Sequence, residues 1–246
     1  PILKTSRVGS ALEQIANLDA ELAVVVAYGA LIPKPALDAL PWWNLHFSLL
    51  PSWRGATPLQ HSMIHGTGAG ISVFELEAGL DTGPIIAQLP MEFGSSETAG
   101  EALVRFTEAG AELILKALEE TPSSSVQTGE VSLAPKISRA EARVDFQAAA
   151  DLVARTINAL NPEPTAWAMN GDQPIKLLRA RSLGSVDWSG FDQSHEPGEV
   201  WLSENRVLME CGNGSRLELI ELQPAGKKPM SAIDFIRGQQ RKVVLD

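Results

Sequence analysis

The apolar positions of this chain change period partway along it. Leu22-Ala23-Val24-Val25-Val26-Ala27 is an unbroken apolar, β-branched run. That pattern predicts a strand buried on both faces, as in a parallel sheet. Ahead of it, Ala11 to Leu18 places Leu12, Ile15 and Ala16 on one side and reads as the end of an amphipathic helix. Tyr28-Gly29 closes the strand, Pro33 to Leu40 reads as a short helix, and a second strand carries Asn44 and His46, which makes one βαβ unit. Pro58 to His65 predicts a helix with Pro58 in its first turn. Ile71 to Leu76 alternates apolar and polar, as a half-exposed strand does, and Pro84 to Phe93 predicts another strand. Glu97 to Glu120 predicts a long helix with an apolar stripe of Leu103, Phe106, Ala109, Leu113 and Leu118.

Beyond Thr121-Pro122-Ser123-Ser124-Ser125, a stretch with little to bury, the grammar is different. One helix is predicted over Asp145 to Asn158. Short runs follow at Thr165–Met169, Pro174–Ala180, Gly198–Trp201, Val207–Glu210 and Leu217–Leu222, separated by Gly171, Gly184, Gly198, Gly212 and Gly214. Short strands at this spacing predict a small β-barrel. The expected organisation is a catalytic domain over 1–121, a linker over 122–147 and a barrel over 148–246, with no internal repeat. The first strand is already preceded by a helix, so the chain reads as though it begins in mid-fold.

Composition narrows the class. The 246 residues are 44% hydrophobic, yet no segment approaches the ~20 apolar residues of a membrane span. Pro1 to Ser10 lack a signal-peptide core. A single cysteine, Cys211, excludes an internal disulfide and fits a reducing cytoplasm. The net charge of −10 argues against non-specific nucleic-acid binding. That average hides an asymmetry: residues 1–150 carry 9 basic and 17 acidic side chains, and residues 151–246 carry 11 and 13. The end of the chain, with Lys227, Lys228, Arg237, Arg241 and Lys242 against Asp234 and Asp246, is locally basic.

The candidate chemistry sits in Asn44-Leu45-His46-Phe47-Ser48-Leu49-Leu50-Pro51-Ser52-Trp53-Arg54-Gly55. Residues i and i+2 of a strand share a face. Asn44 and His46 therefore set an amide donor beside an imidazole, just before a turn marked by Pro51 and Gly55. Gly79-Leu80-Asp81-Thr82-Gly83 offers a loop carboxylate. Amide, imidazole and carboxylate together make an acyl-transfer toolkit. Other patterns carry less. His61 and His65 have the i, i+4 spacing of zinc ligands, but no Glu follows His61 and no third ligand is evident. Gly66, Gly68 and Gly70 lie after a helix and before a strand, the wrong order for a dinucleotide loop. Gly226-Lys227-Lys228 lacks the first glycine and the Ser or Thr of a P-loop. Trp42, Trp43 and Trp53 read as packing aromatics.

Asn44-Leu45-His46, Ser48-Leu49-Leu50-Pro51, Trp53-Arg54-Gly55 and Gly79-Leu80-Asp81-Thr82-Gly83 together resemble the folate-dependent formyltransferase family. Asn161-Pro162-Glu163-Pro164-Thr165-Ala166-Trp167 and Leu222-Gln223-Pro224-Ala225-Gly226-Lys227-Lys228-Pro229-Met230 are similar to the C-terminal domain of its tRNA-directed branch, the methionyl-tRNA formyltransferases. The resemblance implies an α/β, Rossmann-like formyltransferase domain followed by a small OB-like β-barrel. It also implies that an opening strand, a Gly-Thr-Pro turn and a basic loop precede Pro1. The implied reaction moves the formyl group of 10-formyltetrahydrofolate to the α-amino group of methionyl initiator tRNA. Asn44, a protonated His46 and Asp81 would be catalytic. Ser48, Leu49, Leu50, Pro51, Tyr28, Gly29, Leu31, Ile32, Gly79 and Leu80 would hold the folate. Arg54, Lys136, Arg139, Lys227, Lys228 and Arg237 would face the tRNA, with no metal, no membrane and a cytoplasmic monomer expected. A sugar-nucleotide amine is the alternative acceptor, against which the Gly226–Met230 run argues. A catalytically silent tRNA- or folate-binding fragment is the other alternative, opposed by the intact Asn44, His46 and Asp81.

Overall fold

The computed structural model describes residues 8–120, 122–183 and 195–246. They form two compact units, one built from the described residues within 8–62, 67–92 and 103–136 and the other from those within 63–66, 93–102, 137–183 and 195–246. The expected class, an α/β domain followed by a small β-barrel, is what the chain forms.

The first unit opens with a 3-10 turn (Val8–Ala11) and a short helix α1 (Leu12–Ala16), then strand β1 (Ala23–Val26), helix α2 (Lys34–Leu37) and strand β2 (Trp42–His46). A two-residue strand β3 (Arg54–Gly55), helix α3 (Pro58–His65), strands β4 (Gly70–Glu75) and β5 (Ile85–Pro90), the long helix α4 (Ala99–Glu120) and strand β6 (Leu133–Ala134) follow. The main sheet has the order β1-β2-β4-β5. Only β1 and β2 are parallel; β2/β4 and β4/β5 are antiparallel. Strand β6 pairs with β3, and Ser125 bridges Ile85, so part of the stretch expected as a linker is tied to this unit.

Strand β1 is an edge of this sheet among the described residues, and Val24 and Val26 are 41% and 45% exposed there. Two expectations are corrected here. Strand β4 is not half exposed: Ile71 to Phe74 are all buried, because Ser72 finds its hydrogen-bond partners inside the protein rather than in water. The buried stripe of α4 is Ala99, Ala102, Phe106, Gly110, Ile114 and Ala117, while Leu103 and Leu118 are exposed. Small residues let the helix lie close to the sheet. At position 110 a Cβ would overlap the Leu45 side chain of β2, which explains a glycine in mid-helix despite its poor propensity.

The second unit contains helix α5 (Ala150–Ala159), shorter at its start than the predicted Asp145–Asn158. Strands β7 (Trp167–Asn170), β8 (Gln173–Ser182), β9 (Glu199–Ser203), β10 (Arg206–Glu210), β11 (Arg216–Pro224) and β12 (Met230–Ser231) follow, then helix α6 (Ala232–Arg237) and strand β13 (Val243–Val244). The sheet runs β13-β9-β10-β11-β8-β7, with β12 paired to β11. Met169 and Asp246 exchange backbone hydrogen bonds of 2.7 and 3.0 Å and bring the two ends together. Closure leaves few free sheet edges. The core gathers Val153 and Ile157 of α5 with Ile175, Leu177, Met209, Leu217 and Leu222 of the strands. Gly184, expected to punctuate the strands, lies outside the described residues.

Candidate active site

The site begins with the alternation of β2. Leu45 turns toward α4, so its neighbours Asn44 and His46 take the other face. Asn44 lies opposite Phe74 and His46 opposite Ser72. The side-chain amide of Asn44 is half-buried and makes no hydrogen bond among the described residues. The His46 ring is buried, with the Phe74 ring edge-on at 6.1 Å between centroids.

Both nitrogens of His46 have defined surroundings. Nε2 lies 2.9 Å from the carbonyl oxygen of Trp53. A carbonyl only accepts, so Nε2 carries the hydrogen. Nδ1 faces Asp81 Oδ2 at 3.8 Å, an ion-pair distance but too long for a direct hydrogen bond. Burial pushes the imidazole below its ordinary value of 6.5; the Asp81 carboxylate and the Trp53 carbonyl pull upward without overcoming it. The sequence leads us to expect a protonated His46, and this burial works against it. Desolvation disfavours the cation, and with Nε2 on the Trp53 carbonyl it is Nδ1 that faces the carboxylate.

Each partner is itself held. Trp53 has a left-handed backbone, φ 63°. Its N–H donates to Ser132 Oγ at 2.9 Å, its indole N–H to the Thr67 carbonyl at 2.8 Å, and its ring stacks on His61. His61 thus packs in the first unit, with its Nε2 3.0 Å from the Pro135 carbonyl. Asp81 is also left-handed, φ 51°, and its Oδ2 accepts from the Gly55 N–H at 2.8 Å. Gly55 has φ 132°, and a Cβ there would meet the Ala134 carbonyl oxygen at 2.6 Å. The Trp53-Arg54-Gly55 turn therefore supplies a carbonyl to the histidine and an N–H to the aspartate.

The residues expected to hold folate fall into two groups. Ser48, Leu50 and Pro51 are buried, and the Ser48 hydroxyl donates to the Ser52 carbonyl at 2.6 Å. Their side chains brace the turn; only Leu49 of this run is half-buried. Leu31 and Leu80 are exposed, as are Gly29 and Gly79, while Tyr28 and Ile32 are half-buried. Tyr28 to Ile32 leave the carboxyl end of β1, which is parallel to β2. Ligands of open α/β sheets lie outside the carboxyl ends of such strands.

The cationic candidates are distributed over both units. Arg54 donates through Nε and Nη2 to Gln127 Oε1 at 3.2 and 2.7 Å, and Lys136 is exposed. In the second unit Arg139, Trp167 and Lys176 line an open cavity of about 290 Å³ whose wall includes Gln223 to Gly226. Lys227 and Lys228 follow that wall and are exposed. Arg237 donates to Asn205 in the β9–β10 turn at 3.1 Å.

Sequence reasoning missed Ser72, Gln88 and Gln127. The Ser72 hydroxyl donates to the Ser48 carbonyl and accepts from Leu50 N–H and Gln88 Nε2. No period or composition in the sequence signals the inward turn of Gln127, which the structure shows between exposed neighbours.

Comparison with known proteins gives a consistent picture. Residues 4–118 match the Formyl transferase family and residues 136–240 the Formyl transferase, C-terminal domain family. A methionyl-tRNA formyltransferase of Clavibacter michiganensis subsp. michiganensis is 42% identical, with 97% of this chain and 78% of that protein covered. Among solved structures, a methionyl-tRNA formyltransferase from Clostridium thermocellum aligns with a TM-score of 0.60 at 19% identity, covering 74% of this chain and 80% of that one. HypX from Aquifex aeolicus, in complex with tetrahydrofolic acid, aligns with a TM-score of 0.68 at 18% identity, covering 96% of this chain and 44% of that one. At such identities these two structures speak for the fold alone. No described helix is long and apolar enough to cross a membrane.

Proposed function

The chain belongs to the methionyl-tRNA formyltransferase family, and on that footing we propose that Asn44, His46 and Asp81 carry formyl transfer from 10-formyltetrahydrofolate to the α-amino group of methionyl initiator tRNA. The supporting observation is an amide on β2, without a partner among the described residues, beside the buried His46 on the same strand face, with the loop carboxylate of Asp81 3.8 Å from the His46 ring. The folate supplies a formyl carbon already bonded to a nitrogen that can leave. This role suits a half-buried Asn44 amide with no partner among the described residues and the exposed apolar Leu31 and Leu80.

The residues divide the work. As the amine attacks, the formyl oxygen takes negative charge, and Asn44 donates a hydrogen bond to it. One preorganised donor of this kind is worth ~2.7–4 kcal/mol of barrier. The neutral His46 and the Asp81 carboxylate carry one negative charge between them and act as the base. They take the proton shed by the attacking amine. The resulting imidazolium lies between the Asp81 carboxylate and the Trp53 carbonyl, both already positioned to hold it. The same proton then goes to the departing folate nitrogen, so charge and protons balance. Gly55 N–H fixes the carboxylate throughout.

Catalysis is assigned to residues 1–121 and the grip on tRNA to residues 148–246, in particular Lys227, Lys228 and Arg237 with Arg139 of the preceding stretch. Such contacts release counterions, so tRNA affinity falls as salt rises. Transfer of labelled formyl groups to charged initiator tRNA tests the assignment. Asn44→Ala loses about 10²–10³-fold in kcat and keeps its affinity for folate. Wild-type kcat in that variant, or transfer to a sugar-nucleotide amine in preference to tRNA, refutes it.

A further inference from the structure

Gln127 is the inward residue of an otherwise exposed segment: Ser123 to Val126 are exposed, and so is Thr128. Its carboxamide is fully used. Nε2 donates to the Asp81 carbonyl at 2.9 Å and to the Gly83 carbonyl at 2.7 Å. Oε1 accepts both bonds from Arg54. Two donors and two lone pairs are all that such a group possesses. Its orientation is also settled, because carbonyls only accept and a guanidinium only donates.

These four bonds converge on the catalytic pair. One donor holds the carbonyl of Asp81 itself, whose left-handed backbone is unfavourable for a non-glycine residue. The other holds Gly83, packed so closely on β4 that a Cβ there would overlap the Glu75 carbonyl. The acceptor holds Arg54, the neighbour of the Gly55 whose N–H donates to the Asp81 carboxylate. Gln127 reaches the site because Ser125 exchanges two backbone hydrogen bonds with Ile85, at 2.7 and 2.8 Å. We infer that Gln127 is a positioning residue for the transfer reaction, keeping the Asp81 loop in register with the Arg54–Gly55 turn so that the carboxylate faces His46. This inference rests on the roles given above to Asp81 and His46.

The test uses Gln127→Met, which preserves length and removes all four bonds without adding charge. Steady-state formylation of methionyl-tRNA reads kcat and KM, and NMR of the histidine ring nitrogens reads the His46 titration. Asp81 is the charged side chain facing the ring; its other neighbours are the Trp53 carbonyl and the edge of Phe74. Release of Asp81 removes an upward pull, so the His46 midpoint falls further below that of the wild type. The expected result is a kcat loss of tenfold or more, KM values within threefold, and that lowered midpoint, in a variant that still unfolds cooperatively. Wild-type kcat with an unmoved His46 titration overturns the inference. Gln127→Glu keeps the shape and the Arg54 pairing but turns an oxygen toward both carbonyls; it serves on kcat alone should the Met variant fail to fold, and a wild-type value there also overturns the inference. Wild-type protein that formylates no tRNA defeats the functional reading instead, while the His46 midpoint in Gln127→Met still decides the positioning role.

Discussion

Replacing Ser72 by alanine isolates what holds the turn after His46. Ser72 is wholly buried, and its hydroxyl accepts from the Leu50 N–H at 3.0 Å and from Gln88 Nε2 at 2.8 Å while donating to the Ser48 carbonyl at 2.7 Å. Alanine fits the space and leaves these groups behind. Gln88 still donates to the Leu50 carbonyl at 2.9 Å, so it loses little. The buried Leu50 N–H has no other partner among the described residues, and an orphaned donor of this kind costs about 1–3 kcal/mol. The Ser48 carbonyl adds less, since under-satisfied acceptors are better tolerated. The sum is roughly 2–4 kcal/mol. At roughly 2 kcal/mol per M of urea, the unfolding midpoint of the first unit falls by about 1–2 M. Tryptophan fluorescence follows it through Trp42, Trp43 and Trp53, which lie in that unit, while Trp167 and Trp201 report on the second. Any separate transition of the second unit stays in place. A first-unit midpoint within about 0.3 M of wild type refutes the argument that the hydroxyl is what holds the Ser48–Pro51 turn.

Two further substitutions probe other joints. In Gly110→Ala, helix propensity gains about 1 kcal/mol, but overpacking against Leu45 costs about 1–3 kcal/mol. The first unit therefore melts at a lower temperature, and kcat falls because Leu45 sits between Asn44 and His46; a higher melting temperature with full activity contradicts the close helix–sheet contact. The Glu101 carboxyl is lowered to about 2, chiefly by its hydrogen bond from Arg179 at 2.6 Å. A depressed carboxylate stabilises above its unfolded value and loses that contribution as pH falls toward 2, so Arg179→Met flattens the acid dependence of the second unit's melting between pH 4.5 and about 2; identical slopes in variant and wild type count against it.

The catalytic candidates were legible because their signals are short-range. A two-residue spacing fixes the shared face of Asn44 and His46, and the flanking glycines mark the Asp81 loop. What holds them was not legible. Gln127 lies 46 positions from Asp81 in a stretch whose few apolar residues, Val126 and Val131, stay exposed, so neither period nor composition marks it. Ser72 misled for a related reason: alternation identifies a polar position but not whether its partners are water or buried backbone. The phase of α4 failed because leucines outweigh small residues in any hydrophobic count, although the approach to Leu45 of β2 needs Gly110.

His46 and Asp81 are proposed to act as one base. The most direct test is the pH dependence of kcat at saturating substrates, compared between wild type and Asp81→Asn. Ionisation of the substrate amine is common to both proteins and cancels in the comparison. The base must be unprotonated, so the rate is full above the His46 value and is lost as pH falls through it, below 6.5. Removing the carboxylate takes away an upward pull, so the Asp81→Asn profile is lower and its acid limb lies at lower pH. Profiles that superimpose after scaling, or a limb that moves to higher pH, contradict the account.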